Sequence, residues 1–107
     1  MAIETPTGLG SLVEYQDGSV VSHALVKSDA GTVTAFAFDK GEELSEHSAP
    51  YDALLQVFEG RATVTIGGMA HAVLAGQVVR LPADIPHALR ADQRFKMLLI
   101  MIRSPTP

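Results

Sequence analysis

The side chains in this sequence that are best suited to catalysis or metal binding are histidines. The chain has four histidines and no cysteine, so a thiol nucleophile and a cysteine-bound metal are both excluded. No glycine-rich phosphate loop and no serine nucleophile elbow is present. Imidazole nitrogens bind metals and exchange hydrogen bonds with ligands. The sequence therefore points to a metal site or a polar ligand pocket that includes some of the four histidines, His23, His47, His71 and His87.

Short apolar or alternating runs, separated by turn signals, must position these histidines. No window holds a sustained helical period, so the pattern predicts an all-β sandwich or barrel. Arg61–Ile66 alternates cleanly, and Gly67-Gly68 after it predicts a hairpin. The six predicted strands are Val20–Lys27, Thr32–Phe38, Ala53–Phe58, Arg61–Ile66, Gln77–Leu81 and Phe95–Ile102.

The segment from Gly41 to Gly60 resembles the first conserved motif of the cupin family. That motif runs Gly, five residues, His-x-His, three or four residues, Glu, six residues, Gly. Gly41, His47 and Gly60 fall in place. Ala49 stands at the second histidine position, and Ala53 stands at the glutamate position. The motif is therefore recognisable but has lost two side chains that could donate to a metal.

The segment from Gly76 to Ala91 is similar to the second cupin motif. That motif runs Gly, five residues, Pro-x-Gly, two residues, His, three residues, Asn. Gly76, Pro82 and His87 match, while Asp84 replaces the second Gly and Ala91 replaces the Asn. Both motifs in this order imply a small antiparallel β-barrel, the double-stranded β-helix or jelly roll of cupins. We expect one such domain over residues 1–107, with its motif regions at 41–60 and 76–91.

In the family, two His and one Glu of the first motif and one His of the second hold a divalent metal. The resemblance leaves His47 and His87 as ligands here, which is short of the usual three protein ligands. Asp52 or His23 is the possible third ligand. Asp52 lies one residue from the lost glutamate, and Pro50 makes its strand parity uncertain. The expected cofactor is thus either none or one Zn, Fe, Mn or Ni ion.

The sequence leaves two main functions open, and a sensory or interaction role and metal-free acid/base chemistry with His47 as the base are further alternatives. In the first, the barrel interior binds a small molecule with little or no catalysis, in a pocket formed by His47, Tyr51, Phe58 and His87. Alanine at both lost ligand positions would make this pocket larger and less polar, which suits a partly apolar ligand. In the alternative, a metal held by the reduced ligand set supports dioxygenase-like or isomerase-like chemistry. The sequence identifies neither the ligand nor a reaction.

Composition limits the partners. The net charge is −4, and eight Lys and Arg residues are scattered along the chain. Nucleic acid is therefore not an expected partner, because such binding needs clustered cations. The longest apolar run, Met97–Ile102, is too short to cross a bilayer, and the N-terminus does not resemble a signal peptide. We expect a cytoplasmic protein with no membrane association.

Two predicted strands are apolar on both faces. Thr32–Phe38 and the run Met97–Ile102 both lack a polar face, although a strand in a small barrel needs only one buried face. A large exposed apolar patch is uncommon on a monomer. This pattern predicts a homodimer. The alternative is that loops or the N-terminal segment cover the second face.

Overall fold

The computed structural model describes residues 3–103, which form eight β-strands and one short 3-10 turn at Leu9–Ser11. This confirms the predicted all-β fold. Among these residues no helix has the length and hydropathy needed to span a membrane. The strands are β1 (Val20–Ser28), β2 (Gly31–Phe38), β3 (Glu43–His47), β4 (Asp52–Ile66), β5 (Met69–Leu74), β6 (Val78–Leu81), β7 (His87–Arg90) and β8 (Phe95–Ile102).

The strands form two antiparallel layers that share one strand. The first sheet has the order β1-β2-β8-β4-β6, and the second has the order β5-β4-β7-β3. The N-terminal part of β4 belongs to the first sheet, and its C-terminal part belongs to the second. The two layers therefore curl over one another as the halves of a jelly-roll barrel.

Strand β4 differs from the sequence prediction, which placed two strands there with a turn at Glu59-Gly60. The strand is continuous, and its register against β8 shifts between Val57 and Glu59. Val57 and Ala62 both point inward although they lie an odd number of residues apart. Strict alternation cannot give this arrangement, so a β-bulge is required. Gly60 supplies the positive φ, at 74°, and the strand bends where a turn was expected.

The barrel interior is a dry apolar core between the inner faces of the two sheets. Its largest fully buried side chains are Phe38, Leu55, Val57, Val64, Phe95 and Met97. The rings of Phe38 and Phe95 stack with their centroids 4.5 Å apart. The deep interior is thus filled by side chains, and the remaining polar inner-face positions lie near the barrel mouth.

A second apolar cluster lies on the outer face of the first sheet. Leu12 and Val13 pack there against Ala35 and Ala37 of β2. These two residues belong to a segment, residues 9–15, that we call the N-terminal strap. The strap therefore covers part of the second apolar face of β2 and β8. Coverage by the N-terminal segment was the alternative to a homodimer in the sequence analysis.

Candidate functional site

His47 and His87 meet at the barrel mouth. His47 is the last residue of β3, His87 is the first of β7, and the two are direct partners in the antiparallel pairing of these strands. Direct partners in such a ladder project to the same face. The imidazole centroids lie 4.4 Å apart with an interplanar angle of 67°. The structure therefore brings together the two histidines on which the sequence prediction rested.

Both imidazoles are oriented by the protein backbone. Nδ1 of His47 lies 2.9 Å from the carbonyl oxygen of Ser45, and Nδ1 of His87 lies 3.4 Å from that of Ile85. A carbonyl oxygen can only accept, so each hydrogen bond requires a proton on Nδ1. The unprotonated Nε2 atom of each ring is then left with its lone pair. Backbone hydrogen bonding of this kind fixes the tautomer that binds metals or accepts ligand hydrogen bonds.

The two histidines differ in their exposure. His87 is buried, with 8% of its surface exposed, whereas His47 is exposed. Burial lowers the pKa of His87 below its usual 6.5, and the neighbouring His47 lowers this pKa further. Desolvation and a nearby positive charge both disfavour the imidazolium form. His87 is therefore a neutral imidazole near neutral pH, available as an acceptor or a ligand.

Apolar side chains continue the inner face beside the histidines. Ile66 of β4 is the direct partner of His87 on one side and of Met69 on the other. Ile66 packs against the barrel core, while 65% of the Met69 surface is exposed. The four side chains of His47, His87, Ile66 and Met69 form one row across the second sheet. We call this the mouth row; it joins two imidazoles to two apolar side chains.

Ile66 was missed as a member of the mouth row in the sequence analysis, although a signal for its position was present. Ala62, Val64 and Ile66 alternate toward one face before the Gly67-Gly68 turn. A two-residue hairpin fixes the register of the strands that it joins, so Ile66 had to pair with Met69. The position of His87 opposite Ile66 could not be predicted from the sequence, because β7 and β4 are distant along the chain.

The two lost ligand positions lie where the family resemblance implies. Ala53 faces the barrel interior, with 8% of its surface exposed. Ala49 is half-buried, and its carbonyl oxygen accepts a hydrogen bond of 2.8 Å from the amide of Asp84. Methyl groups therefore occupy both positions. Neither can donate to a metal.

The structure does not bring Asp52 or His23 to the histidine pair. Asp52 precedes the inward-facing Ala53, so alternation turns its side chain outward, where Oδ1 accepts a hydrogen bond of 2.9 Å from the amide of Ala83. His23 is the partner of Ala35, which belongs to the outer cluster. Within residues 3–103, no three or more His, Cys, Asp or Glu side chains are grouped as a metal site.

Phe58 requires a correction, since the sequence prediction placed it in the pocket. Val57 is inside the barrel, and Phe58 therefore points to the opposite face, where it packs with the outer cluster. Tyr51 precedes β4 and is half-buried. The Arg103 guanidinium lies 5.7 Å from the centroid of its ring, which is within cation–π range.

Two open clefts lie away from the histidine pair. One, of about 460 Å³, opens between β5 and β6 and is lined in part by His71, Val73 and Val79. His71 is exposed, and its pairing with Val64 places it on the inner face of the second sheet. The other cleft, of about 420 Å³, lies under residues 3–7 beside Leu25 and Leu98. The histidine pair differs from both clefts because it brings two imidazoles together, whereas the first cleft is lined by one imidazole, that of His71.

Comparison with known proteins agrees with this architecture. The family model of the cupin domain matches residues 35–103. A conserved protein of unknown function from Streptococcus pyogenes is 33% identical, with a TM-score of 0.93, and the match covers 99% of this chain and 93% of that chain. A cupin superfamily protein from Desulfitobacterium hafniense is also 33% identical, with a TM-score of 0.91 and coverage of 97% and 95%.

A cupin 2 conserved barrel domain protein from Leptotrichia buccalis is 42% identical, with a TM-score of 0.82. The match covers 85% of this chain and 44% of that chain. No match was found among curated proteins. The family match covers more than half of the chain, and two of the structural relatives match over nearly their whole length. The chain belongs to the cupin family.

Proposed function

We propose that the protein binds a small organic molecule at the barrel mouth, through the two histidines and the apolar half of the mouth row. The supporting observation is the orientation of His47 and His87, whose Nδ1 atoms face backbone carbonyls. Their Nε2 atoms are then paired acceptors. A ligand that fits them carries a hydroxyl or amine donor, and its apolar portion lies on Ile66 and Met69.

Binding is the proposed role, and the chemistry of the pair fits it. The Nδ1 protons are donated to the carbonyl oxygens of Ser45 and Ile85, so the Nε2 atoms are left as acceptors for a ligand's hydrogen-bond donor. A hydrogen bond to a partly buried imidazole contributes about 1 kcal/mol. Apolar contact on Ile66 and Met69 contributes about 25 cal/mol for each Å² that is removed from water.

The test uses two probes, 4-propylphenol and 4-propylanisole. They differ only at the oxygen, which carries a proton that can be donated in the phenol and a methyl group in the ether. Binding is followed by two-dimensional amide NMR of the uniformly 15N-labelled protein. We expect the phenol to shift amide signals of β3, β7 and the β4–β5 hairpin, and to bind at least about fivefold more tightly than the ether, since about 1 kcal/mol is lost with the donor.

The matched variants are His87→Ala and His23→Ala, which remove the same side chain from the mouth and from the outer face. The first should abolish the preference for the phenol, and the second should leave it intact. Equal binding of the two probes by the unaltered protein, or a preference that survives in His87→Ala, would contradict the proposal.

A second candidate is a metal site completed by the ligand. Backbone hydrogen bonds that present the Nε2 atoms of His47 and His87 favour it, because metal-bound imidazoles are oriented in this way. The family metal does not fit the residues present, however. Two imidazoles fall short of the usual three protein ligands, and Ala49 and Ala53 have no donor atoms. We therefore derive no reaction step through a metal.

Elemental analysis separates this candidate from plain binding. The protein is purified without chelator and without a metal-affinity step, and His87→Ala is treated identically. Near-stoichiometric Zn, Fe, Mn or Ni in the protein, lost in the variant, would support a two-histidine site. Equal traces of metal in both preparations would exclude it.

A further inference from the structure

Strand β5 forms a free edge of the second sheet. Within residues 3–103 it pairs only with β4. The two-residue turn between these strands has φ values of 57° at Gly67 and 84° at Gly68, which are typical of a type I′ turn. In such a hairpin Ile66 and Met69 exchange two backbone hydrogen bonds, and hydrogen-bonded pairs then alternate along the ladder. The direction of each backbone N–H and C=O group of β5 is therefore fixed.

The backbone groups of Ala70, Ala72 and Leu74 point away from β4, because these residues alternate with the hydrogen-bonded Met69. Leu74 supports this direction. Its amide donates a hydrogen bond of 2.9 Å to Oε1 of Gln77, and its carbonyl oxygen accepts one of 2.9 Å from the Gln77 amide. Gln77 thus closes one end of the edge. Ala70 and Ala72 present four outward N–H and C=O groups, which bond to no other group in the described part of the chain.

The β5 edge lacks the charges that usually keep strand edges from pairing with another strand. The other three edge strands carry such charges, among them Lys27 in β1, Glu43 in β3 and Arg80 in β6. The sequence of β5, from Met69 to Leu74, contains no Lys, Arg, Asp, Glu or Pro. Its exposed backbone is therefore open to pairing.

A cleft lies beside this edge, on the inner side of the sheet. His71 and Val73 point to that side, as the partners of Val64 and Ala62, and together with Val79 of β6 they line the cleft of about 460 Å³. Direct partners in a ladder share a face. In a strand added to β5, the residue opposite His71 would therefore project into the cleft. An apolar side chain suits this position, because two valines line it.

The charge around the edge favours an acidic partner. Residues 61–83 contain two of the eight Lys and Arg residues and none of the twelve Asp and Glu residues, although the net charge of the chain is −4. Arg61 is exposed on the same outer face as Ala72. It forms no direct ion pair within residues 3–103. Asp92, a carboxylate near it, is already paired with Arg90 at 2.9 Å.

We propose that the β5 edge binds an extended acidic peptide segment of another protein as an added strand. The segment lies antiparallel, as do all the paired strands of this fold. Two of its residues exchange four backbone hydrogen bonds with Ala70 and Ala72, and their acidic side chains lie on the outer face with Arg61. The residue between them is apolar and enters the cleft beside Val73. Strand addition of this kind takes affinity from the backbone and specificity from alternate side chains.

Amide hydrogen exchange, followed by NMR of the 15N-labelled full chain, tests the proposal. The probe is the capped peptide acetyl-Thr-Glu-Val-Glu-Thr-amide. At about ten times its dissociation constant, exchange at the amides of Ala70 and Ala72 should slow about tenfold, because only the unoccupied protein exchanges. The amides of Met69 and His71 already donate to β4 and should keep their exchange rates, which makes them internal references.

Two control peptides separate backbone pairing from charge. The same peptide N-methylated at both Glu residues lacks two donors and should bind at least about tenfold more weakly. Acetyl-Thr-Lys-Val-Lys-Thr-amide keeps the donors and should bind at least about threefold more weakly. Equal binding of the N-methylated peptide would overturn strand addition, and equal binding of the Lys peptide would overturn the acidic partner.

Variants of the protein test the same surface. Ala72→Pro removes an outward N–H without removing a hydrogen bond of the fold, and it should weaken binding at least about fivefold. Arg61→Gln should reduce the preference for Glu over Lys peptide. Lys40→Gln, at an exposed cation outside residues 61–83, should not. His87→Ala should bind the peptide as the unaltered protein does.

Circular dichroism establishes that each variant is folded, and Arg61→Gln keeps the test decisive if Ala72→Pro is not. Unchanged peptide affinity in both variants would overturn the proposal. Protection of Ala70 and Ala72 that rises with protein concentration in the absence of peptide would assign the edge to a second copy of the chain, and would overturn it equally.

Discussion

In the proposed binding mode, the Nε2 atoms of His47 and His87 are the positions that contact the ligand. Their rings are in edge contact, with centroids 4.4 Å apart, so a single ligand group can touch both. Protonating either ring would remove an acceptor and place a positive charge beside the other. The state of the pair therefore decides what the site can bind.

Protonation of His87 should make the fold less stable. Its pKa is lowered in the folded protein, first by burial and then by His47, so the unfolded chain binds the proton more readily. The free energy of unfolding therefore rises with pH up to about the usual value of 6.5 and decreases below it. Urea denaturation at several pH values measures this, and His87→Gln should flatten the dependence. An unchanged slope in the variant would assign it to other groups.

Restoring the family carboxylate should create a metal site. Ala53 faces the interior at the position where the family has Glu, so Ala53→Glu would supply a third ligand. Without metal this change should lower the stability, because a carboxylate is buried. With Mn(II), Ni(II) or Zn(II) at a hundred times its dissociation constant, the gain should be about 2.7 kcal/mol.

Thermal denaturation with and without metal measures this effect. Ala53→Gln is the control, since an amide oxygen of the same size is a weaker ligand, and adding His87→Ala should remove the metal response. If Ala53→Glu gave no more metal stabilisation than Ala53→Gln, the histidine pair would not be positioned as it is in metal-binding relatives.

At the scale of elements, the bend in β4 depends on Gly60. Its φ is 74°, and a Cβ at this position would collide with the carbonyl oxygen of Arg94. Gly60→Ala should therefore cost about 3 kcal/mol or more in the free energy of unfolding. Gly68→Ala is the matched control, because its φ of 84° is similar and its Cβ would meet nothing within 4 Å. It should cost only about 1 kcal/mol, and equal losses would refute the steric explanation.

The N-terminal strap is fixed to the sheet by one buried lysine. Lys96, only 4% exposed, donates a hydrogen bond of 2.7 Å to the carbonyl oxygen of Gly10. Its Nζ atom also lies 4.8 Å from the centroid of the Tyr15 ring and 3.8 Å from Oε2 of Glu59. Burial and Glu59 together raise the pKa of Tyr15 above its usual 10, so the phenol stays neutral beside these charges.

Lys96→Met should release the strap while keeping the volume of the side chain. We expect a loss of about 2 kcal/mol, because the Gly10 carbonyl loses a charged donor, and faster thermolysin cleavage within residues 9–15. Lys40→Met, at an exposed position, should change neither. Protection of the strap equal to that of the unaltered protein would show that Leu12 and Val13 hold it unaided.

Strands with strong alternation or high apolar content were predictable from the sequence. Phe95–Ile102 was predicted with its observed bounds, because its apolar run has no competing pattern. Three strands were missed for identifiable reasons. β3 is rich in Glu, a composition that predicts a loop. β5 contains mostly residues with weak strand propensity. β7 has only four residues and directly follows Pro86. β3 and β7 are short strands whose pairing partners are distant in sequence, whereas β5 is an edge strand that pairs with β4 across the Gly67-Gly68 turn.

Only those site residues that the spacing of the two motifs identifies could be predicted from the sequence. The positions of His47 and His87 followed from the family resemblance. The outward direction of Phe58 did not, since it depends on local parity within a bulged strand. The direction of the Asp52 side chain was likewise not predictable, because the hydrogen bond from the Ala83 amide to its carboxylate joins residues that are distant in sequence.

At the scale of the whole molecule, a homodimer through the apolar outer face of the first sheet, where Leu54 is 38% exposed, would couple stability to concentration. If two copies must separate before the sheets unfold, the midpoint of thermal unfolding should rise with protein concentration. Leu54→Asp should remove this dependence. Differential scanning calorimetry over a hundredfold range of concentration measures the shift. A constant midpoint for the unaltered protein would argue that the dimer and the fold are energetically separate.

The position of β8 in the first sheet also governs when the chain can fold during synthesis. β8 lies between β2 and β4, and within residues 3–103 the only other strand that pairs with β2 is β1. Until the ribosome has released Phe95–Ile102, the β1–β2 hairpin is an isolated pair, which is marginal in water. The first third of the chain must therefore wait for the last strand, with its apolar outer faces exposed to chaperones in the meantime.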